Sequence, residues 1–305
     1  MSAAVLRVGT RGSALALAQS GMVADRIAGI AGCSVKLVRI RTEGDVNTGP
    51  LATIGGTGVF VTGVRAALLE GRVDVVVHSY KDLPTAPADG ISLSAVPARE
   101  NPFDALCARN RLTLGELPPG STVGTGSPRR AAQLRTHRPD LQIVAIRGNV
   151  DTRLRKVTDG ELDAVVLAAA GLNRLGRSDA ISQILDTEVM LPAPAQGALA
   201  VETRAGAPAW FTAAVRALDD PAARAAVLAE RVLLRDLEAG CSAPVGAFGQ
   251  VTADTLTLQA VVVAPSGADE FRVRRGGPVA ADGELGPAAA ADLLDRGAAQ
   301  LLGPR

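Results

Sequence analysis

The hydrophobic pattern changes period along the chain, between short apolar runs and stripes with helical spacing. The β-branched run at residues 73–77 is bounded by turn residues, which predicts a strand buried on both faces. A stripe at Val61, Val64 and Leu68 just before it predicts an amphipathic helix. Because runs and stripes of these two kinds alternate, the pattern favours an α/β fold.

The predicted central strand at residues 73–77 leads into polar and ionisable side chains. Ser79, Lys81 and Asp82 follow the strand, and prolines farther on end any sheet ladder. Open parallel sheets bind their ligands at the carboxyl ends of the strands. We therefore expect these three side chains at the mouth of a site.

An internal similarity predicts the domain organisation. The segments Gly71-Arg-Val-Asp-Val-Val-Val77 and Gly160-Glu-Leu-Asp-Ala-Val-Val166 share one pattern, which two similar α/β domains facing each other across a cleft would explain. The last third of the sequence predicts a small α+β domain. Its predicted elements are a long helix, two alternating strands and a final helix at residues 287–302. The predicted domains are residues 1–98 plus 198–217, residues 102–193 and residues 219–305.

Arginine recurs at predicted helix starts and strand ends. Arg129 and Arg130 follow Ser127, a predicted N-cap, and a helix dipole disfavours cations there unless an anion lies between them. The alternative is a solvated helix start. The anion site is favoured because arginine recurs nearby at Arg147, Arg153 and Arg174. Arg11, at the first predicted strand-to-helix turn, marks a separate anion site.

Composition supports anionic small ligands more than nucleic acid. Lysine occurs only at Lys36, Lys81 and Lys156, so almost every cation is an arginine, whose planar fork binds carboxylates and phosphates. GC-rich coding would explain that bias equally well. A net charge of +1 and 2% aromatic residues leave neither a basic stripe nor stacking platforms for nucleic acid.

Other classes of protein are disfavoured by what the sequence lacks. No signal-peptide pattern and no apolar segment long enough to span a bilayer is visible, so we expect a cytoplasmic protein that binds no membrane. The three cysteines are isolated and only two histidines accompany them, which argues against a metal site or a disulfide framework.

Seven motifs in order give the chain a specific resemblance. They are Thr10-Arg-Gly-Ser13 with Leu15-Ala-Leu-Ala-Gln19, Gly55-Gly-x-Gly-Val-Phe60, Val77-His-Ser-Tyr-Lys-Asp82, Gly124-Thr-x-Ser-x-Arg-Arg130, Arg147-Gly-Asn-Val-Asp-Thr-Arg153, Ala170-Gly-Leu-x-Arg174 and Leu237-Glu-Ala-Gly-Cys-Ser-Ala-Pro-Val-Gly246. Over nearly its whole length the chain resembles the porphobilinogen deaminases, also called hydroxymethylbilane synthases.

This resemblance implies a fold, a reaction and a cofactor. The implied enzyme has three domains, the first two similar to type II periplasmic binding proteins. It condenses four porphobilinogen molecules, with loss of ammonia, into the linear tetrapyrrole hydroxymethylbilane of haem biosynthesis. A dipyrromethane cofactor attached by a thioether, here to Cys241, primes the chain. The family is also expected to be monomeric and to pass its product to the next enzyme of the tetrapyrrole pathway.

The resemblance also assigns roles to residues, and no metal ligand is among them. It makes Asp82 the catalytic carboxylate. The residues implied to bind the cofactor, beside Cys241, are Lys81, Ser127, Arg129, Arg130 and Arg147. Those implied to bind the substrate are Arg11, Ser13, Gln19, Phe60, Ser79, Arg153 and Arg174. By residue type alone, Phe60 is more simply an ordinary core residue.

Rival interpretations stay open at this point. A cytoplasmic module of the same two-domain fold that binds a small anion needs neither Asp82 nor Cys241. A phosphate-binding transferase using the glycine turn before Ser127 lacks its nucleotide motif. Cys241 as a structural thiol is the alternative to a cofactor anchor. The chain departs from common family residues at Thr57, Tyr80, Ala195 and Ala239.

Overall fold

A computed structural model describes residues 5–41, 58–239 and 243–302, without the side chains of 58–60 and 282. The chain divides into two compact units. One consists of residues 1–99 and 198–224, and the other of residues 100–197 and 225–305. The finer division into three domains stays a prediction.

The described strands and helices, numbered in chain order, alternate along most of the chain. The strands are β1 Val5–Thr10, β2 Ser34–Arg39, β3 Val75–Ser79, β4 Ile91–Ala95, β5 Asp104–Ala108, β6 Thr122–Thr125, β7 Gln142–Ala145, β8 Ala164–Ala168, β9 Gln183–Ile184, β10 Leu199–Arg204, β11 Val245–Thr252, β12 Thr255–Val263 and β13 Glu270–Pro278. The helices are α1 Ala14–Ala31, α2 Gly58–Leu69, α3 Pro128–His137, α4 Val150–Thr158, α5 Ala169–Arg174, α6 Ala209–Arg216, α7 Pro221–Asp236 and α8 Asp282–Asp295.

The first unit is built on one mixed sheet with the order β2-β1-β3-β10-β4. Strands β1, β2 and β3 are parallel, whereas β10 runs antiparallel to β3. Both faces of β3 are covered, because Val75 packs on the α1 and α6 side and Val76 packs under α2. The prediction of a doubly buried central strand is confirmed.

The second unit contains a sheet of matching order, β7-β6-β8-β5-β9, in which β5 is the antiparallel strand. The two halves of the predicted internal repeat lead into β3 and β8, which hold equivalent places in the two sheets. A three-stranded antiparallel sheet, β11-β12-β13, lies in the same unit. Helices α7 and α8 cover this sheet with Leu233 and Leu293, and Leu237, just after the end of α7, belongs to the same core. The α/β class and the small α+β part are confirmed.

Two details of the last third differ from expectation. Strand β13 was not predicted, because its Arg-rich sequence shows little apolar alternation. The final helix begins at Asp282 and includes Pro287, so the predicted range of 287–302 was wrong. The helix ends at Asp295 because Gly297 adopts a φ of 97°, which does not continue a right-handed helix.

Within the described ranges, no helix combines the length and the apolar character that crossing a bilayer requires.

Candidate active site

A pocket in the first unit lies at the carboxyl ends of β1 and β3. Five of its lining residues are predicted site residues, namely Arg11, Ser13, Gln19, Ser79 and Asp82. The other lining residues come from α1, α2 and β3, and are Leu15, Ala16, Val61, Val64, Val77 and His78. The sheet thus brings together residues that are far apart in the sequence, as the strand-end argument predicts.

The turn between β1 and α1 is held by two side-chain hydroxyl groups. Ser13 is the N-cap, and its Oγ accepts a hydrogen bond from the Ala16 amide at 3.2 Å. Thr10 is buried, and its Oγ1 donates to the Ala16 carbonyl at 3.0 Å. These contacts fix the short loop that presents Arg11 at the pocket.

The segment after β3 forms a tight turn that places Asp82. Residues Tyr80–Asp82 make one turn of 3-10 helix, and the Tyr80 amide donates to the Ala198 carbonyl at 3.0 Å. The Tyr80 side chain is buried, so it anchors the turn, while Asp82 is exposed at the pocket. Gln19 and Ser79, which line the same pocket, are hydrogen-bonded to each other, with Gln19 Nε2 donating to Ser79 Oγ at 2.9 Å.

A second group of predicted residues surrounds a buried carboxylate in the other unit. Asp104 on β5 lies between Arg129 and Arg130, with N···O distances of 2.8 and 2.7 Å. All three are buried, and Ser127 caps the helix by accepting from the Arg130 amide. The interpretation as a solvated helix start was wrong, because a carboxylate of the protein lies between the two cations.

The charges of this group do not cancel. Burial alone would raise the pKa of Asp104, but the two guanidinium groups more than reverse this and hold it well below its ordinary value. Two arginines therefore share one permanently ionised carboxylate. Burial lowers the pKa of Arg153, and the nearby positive charge of Arg130 lowers that pKa further. In the described part of the chain, no carboxylate pairs with Arg153.

Close backbone approach brings the β6–α3 and β7–α4 turns together. A Cβ at Gly126 would lie 2.6 Å from the Ile146 carbonyl oxygen and 3.8 Å from Nη2 of Arg153, so only glycine fits there. Arg153 Nε donates to the Gly148 carbonyl at 2.8 Å. Arg147 is exposed between β7 and α4.

Arg174 contacts the chain where it passes between the two units. Its Nη2 donates to the Gly197 carbonyl at 2.7 Å, and burial lowers its pKa while Glu100 opposes that shift. Its Nε is buried without a hydrogen-bond partner among the described residues. A buried donor of this kind fits an anionic ligand, which would supply the missing acceptor.

Several predicted residues fall elsewhere. Cys241 and Thr57 lie outside the described residues, and so does the side chain of Phe60. Lys81 is half-buried in the turn before Asp82 but does not line the pocket. Among the residues that the structure describes, no group of three or more His, Cys, Asp or Glu side chains could hold a metal ion.

Two residues of these sites, Asp104 and His78, were not predicted from the sequence. Asp104 is charged yet begins the apolar strand β5, and a charge in such a strand was the available signal. His78 lines the pocket and directly precedes Ser79 at a strand end, but its motif was interpreted only through its neighbours.

Two solved structures match part of this chain. An ABC transporter periplasmic substrate-binding protein from Coxiella burnetii is 17% identical, with a TM-score of 0.43 over 72% of this chain and 94% of that one. The methionine-binding protein MetQ is 15% identical, with a TM-score of 0.43 over 69% of this chain and 89% of that one.

Sequence relatives match over the whole chain. Porphobilinogen deaminase 1 of Streptomyces coelicolor is 52% identical over 100% of this chain and 99% of its own length. The porphobilinogen deaminase of Acidothermus cellulolyticus is 55% identical over 98% and 91%. The family model for the dipyrromethane cofactor binding domain of porphobilinogen deaminase matches residues 6–211, and the model for its C-terminal domain matches residues 224–295. The chain therefore belongs to the porphobilinogen deaminase family.

Proposed function

We propose that this chain is a hydroxymethylbilane synthase, a transferase that condenses four porphobilinogen molecules into a linear tetrapyrrole and releases ammonia. The observation that carries the proposal is the pocket at the ends of β1 and β3. Five residues implied by the family motifs line it together, including the proposed catalytic residue Asp82. A module that only binds a small anion has no need for a carboxylate at that place.

The arginine group of the second unit fits the dipyrromethane cofactor. Each of the two pyrrole rings carries an acetate and a propionate, so the cofactor is strongly anionic. Arg129 and Arg130 share one carboxylate, and Arg153 has no paired carboxylate among the described residues, so positive charge is in excess. Arg129 and Arg130, together with Ser127 and Arg147, would hold the cofactor carboxylates. Lys81 is the remaining residue that the proposal assigns to cofactor binding.

Cys241 would anchor the cofactor through a thioether. Its motif supports this role, and a thiolate is the nucleophile that such a bond requires. Once bound, the cofactor supplies the free pyrrole α-carbon at which the product chain starts.

Asp82 has the electrostatic task in this mechanism. As ammonia leaves porphobilinogen, positive charge develops on the pyrrole ring of the substrate. A carboxylate that accepts hydrogen bonds from the pyrrole N–H groups stabilises that charge. Asp82 is exposed at the pocket on a turn fixed by buried Tyr80, so its carboxylate is available and its position is defined.

The remaining pocket residues would bind and orient the substrate. Arg11 would pair with a substrate carboxylate, and Ser13, Gln19 and Ser79 would offer hydrogen bonds beside it. Phe60 would supply an apolar wall. The same proposal includes Arg153 and Arg174 as binders of carboxylates on the growing chain.

The proposed enzyme acts as a monomer in the cytoplasm, without nucleic acid or membrane. It passes hydroxymethylbilane to the next enzyme of the tetrapyrrole pathway.

Replacing the carboxylate of Asp82 tests the assignment. Asp82→Asn should retain the cofactor mass and the unfolding midpoint but lower kcat by at least about a hundredfold, because transition-state charge stabilisation is lost. The matched control is Asp89→Asn, which removes an exposed carboxylate from the loop that follows and should leave kcat unchanged. Turnover by Asp82→Asn at the control's rate would contradict the role of Asp82.

A further inference from the structure

A buried group of charged and polar residues lies under α2, beside the Asp82 pocket. The carboxylate of Glu202 on β10 accepts hydrogen bonds from Nε and Nη2 of Arg65, at 2.9 and 2.5 Å. The side chains of Glu202 and His78 are only 4% and 7% exposed. His78 on β3 has its Nε2 3.4 Å from Oε2 of Glu202.

The sheet register explains this placement. His78 is opposite Ala200 and Val76 is opposite Glu202, so His78 and Glu202 are diagonal neighbours on one face. Ser79 points to the opposite face, where it meets Gln19. The end of β3 thus contributes side chains from both faces to one pocket.

Glu202 is a fixed negative charge behind His78. Burial alone would raise the pKa of this carboxyl group, but the contacts with His78 and Arg65 lower it to about 2. Glu202 is therefore ionised at any pH at which an enzyme is assayed. A carboxylate in this position favours the imidazole tautomer with its proton on Nε2.

The two ring nitrogens of His78 are then not equivalent. Nε2 is buried, and Oε2 of the Glu202 carboxylate lies 3.4 Å from it. His78 nevertheless lines the pocket. With Nε2 enclosed, Nδ1 is the nitrogen that a ligand can reach, and in this tautomer it is a hydrogen-bond acceptor.

We propose that His78 is a further substrate-contacting residue of the Asp82 pocket, whose Nδ1 accepts a hydrogen bond from an N–H group of porphobilinogen. Glu202 and Arg65 are its positioning residues, because they set the tautomer without touching the substrate. This inference rests on the proposed function, since it needs porphobilinogen as the ligand. It adds an acceptor on the α2 side of the pocket, away from the Gln19–Ser79 pair.

Two isosteric replacements separate this role from a purely structural one. The amide nitrogen or oxygen of Asn takes the place of Nδ1, whereas that of Gln takes the place of Nε2. If Nδ1 meets the substrate, His78→Asn keeps kcat/KM within about threefold of wild type and His78→Gln loses about tenfold, the size of one hydrogen bond. If His78 only supports the fold through Glu202, Gln is the better replacement.

The kinetics are measured on holoenzyme with porphobilinogen, together with the cofactor mass and the unfolding midpoint of each variant. The control is His137→Asn, because His137 is the only other histidine in the chain and is exposed at the end of α3. It should match wild type. Equal kcat/KM values for the two His78 variants, or a higher value for Gln, would overturn the inference.

A second measurement needs no variant at position 78. In holoenzyme labelled with ¹⁵N-histidine, two histidines give a simple spectrum, and His137→Asn assigns it. We expect His78 as the Nε2–H tautomer, with its Nδ1 resonance shifted by one equivalent of porphobilinogen. An unshifted resonance in an enzyme that consumes porphobilinogen overturns only the role of His78. If wild type and His137→Asn consume none, the proposed function and this inference both fail.

Discussion

Replacing Asp104 with asparagine should cost the protein a large part of its stability. Asp104 is fully buried and forms ion pairs with Arg129 and Arg130. Its carboxylate also accepts hydrogen bonds from Arg130 Nε and Gln196 Nε2, both at 2.9 Å. Asparagine keeps the shape of the side chain but removes its charge. Two buried guanidinium groups would then lie side by side with no anion between them.

The size of the effect follows from the lost charge. Two opposite charges about 4 Å apart attract by about 4 kcal/mol at an effective dielectric constant of 20, and Asp104 makes two such pairs. Part of this is offset, because the neutral amide no longer has to be desolvated as an ion. Removing one partner of a buried ion pair costs about 3–5 kcal/mol in comparable proteins, and we expect the free energy of unfolding to fall by that amount.

Urea titration followed by circular dichroism measures this loss. The matched control is Asp292→Asn, since Asp292 also forms a two-bond pair with an arginine, Arg275, but lies on the surface. Exposed pairs contribute little, so the control should lose far less. If Asp104→Asn were as stable as Asp292→Asn, the Asp104 carboxylate would not be what stabilises the two buried guanidinium groups, and the reasoning would be refuted.

Three further predictions concern the backbone, acid stability and the cofactor. Gly197→Ala should destabilise the protein by at least about 2 kcal/mol more than Gly206→Ala in thermal unfolding. Both glycines have a positive φ, but only at position 197 would the added Cβ clash with a backbone oxygen, that of Glu100. Equal losses of stability in the two variants would contradict this prediction. The depressed pKa of Glu202, about 2 against 4.5, stabilises the fold above pH 4.5, and that contribution is lost as the pH falls towards 2. Wild type should therefore lose about 3 kcal/mol more than Glu202→Gln between pH 5 and 2, whereas parallel acid titrations would contradict the assignment. Arg147→Leu should slow cofactor loading or elongation, but Arg155→Leu, an exposed arginine on α4, should not; unaltered progress curves for Arg147→Leu would show the site is misplaced.

The features predicted from the sequence are those that local pattern determines. The caps at Ser13 and Ser127 and the buried run before Ser79 were predicted, because a helix start and a doubly covered strand need particular residues in a short stretch. The family motifs pointed to the same strand ends and helix starts.

What the sequence did not reveal depends on contacts between distant segments. Asp104 precedes Arg130 by 26 residues, and Glu202 is 137 residues from Arg65, so only the sheets bring these charges together. His78 was overlooked for the same reason, because its importance comes from Glu202 on another strand. Pattern along one segment cannot show which buried charges become partners.

The central claim is that this chain builds its product on a cofactor attached to Cys241. The most direct test is the intact mass of denatured wild type, Cys241→Ser and the control Cys33→Ser, before and after incubation with porphobilinogen. The account predicts a two-ring adduct on wild type and on Cys33→Ser, further ring masses after incubation, and neither on Cys241→Ser. Wild type at its polypeptide mass under both conditions would contradict the account.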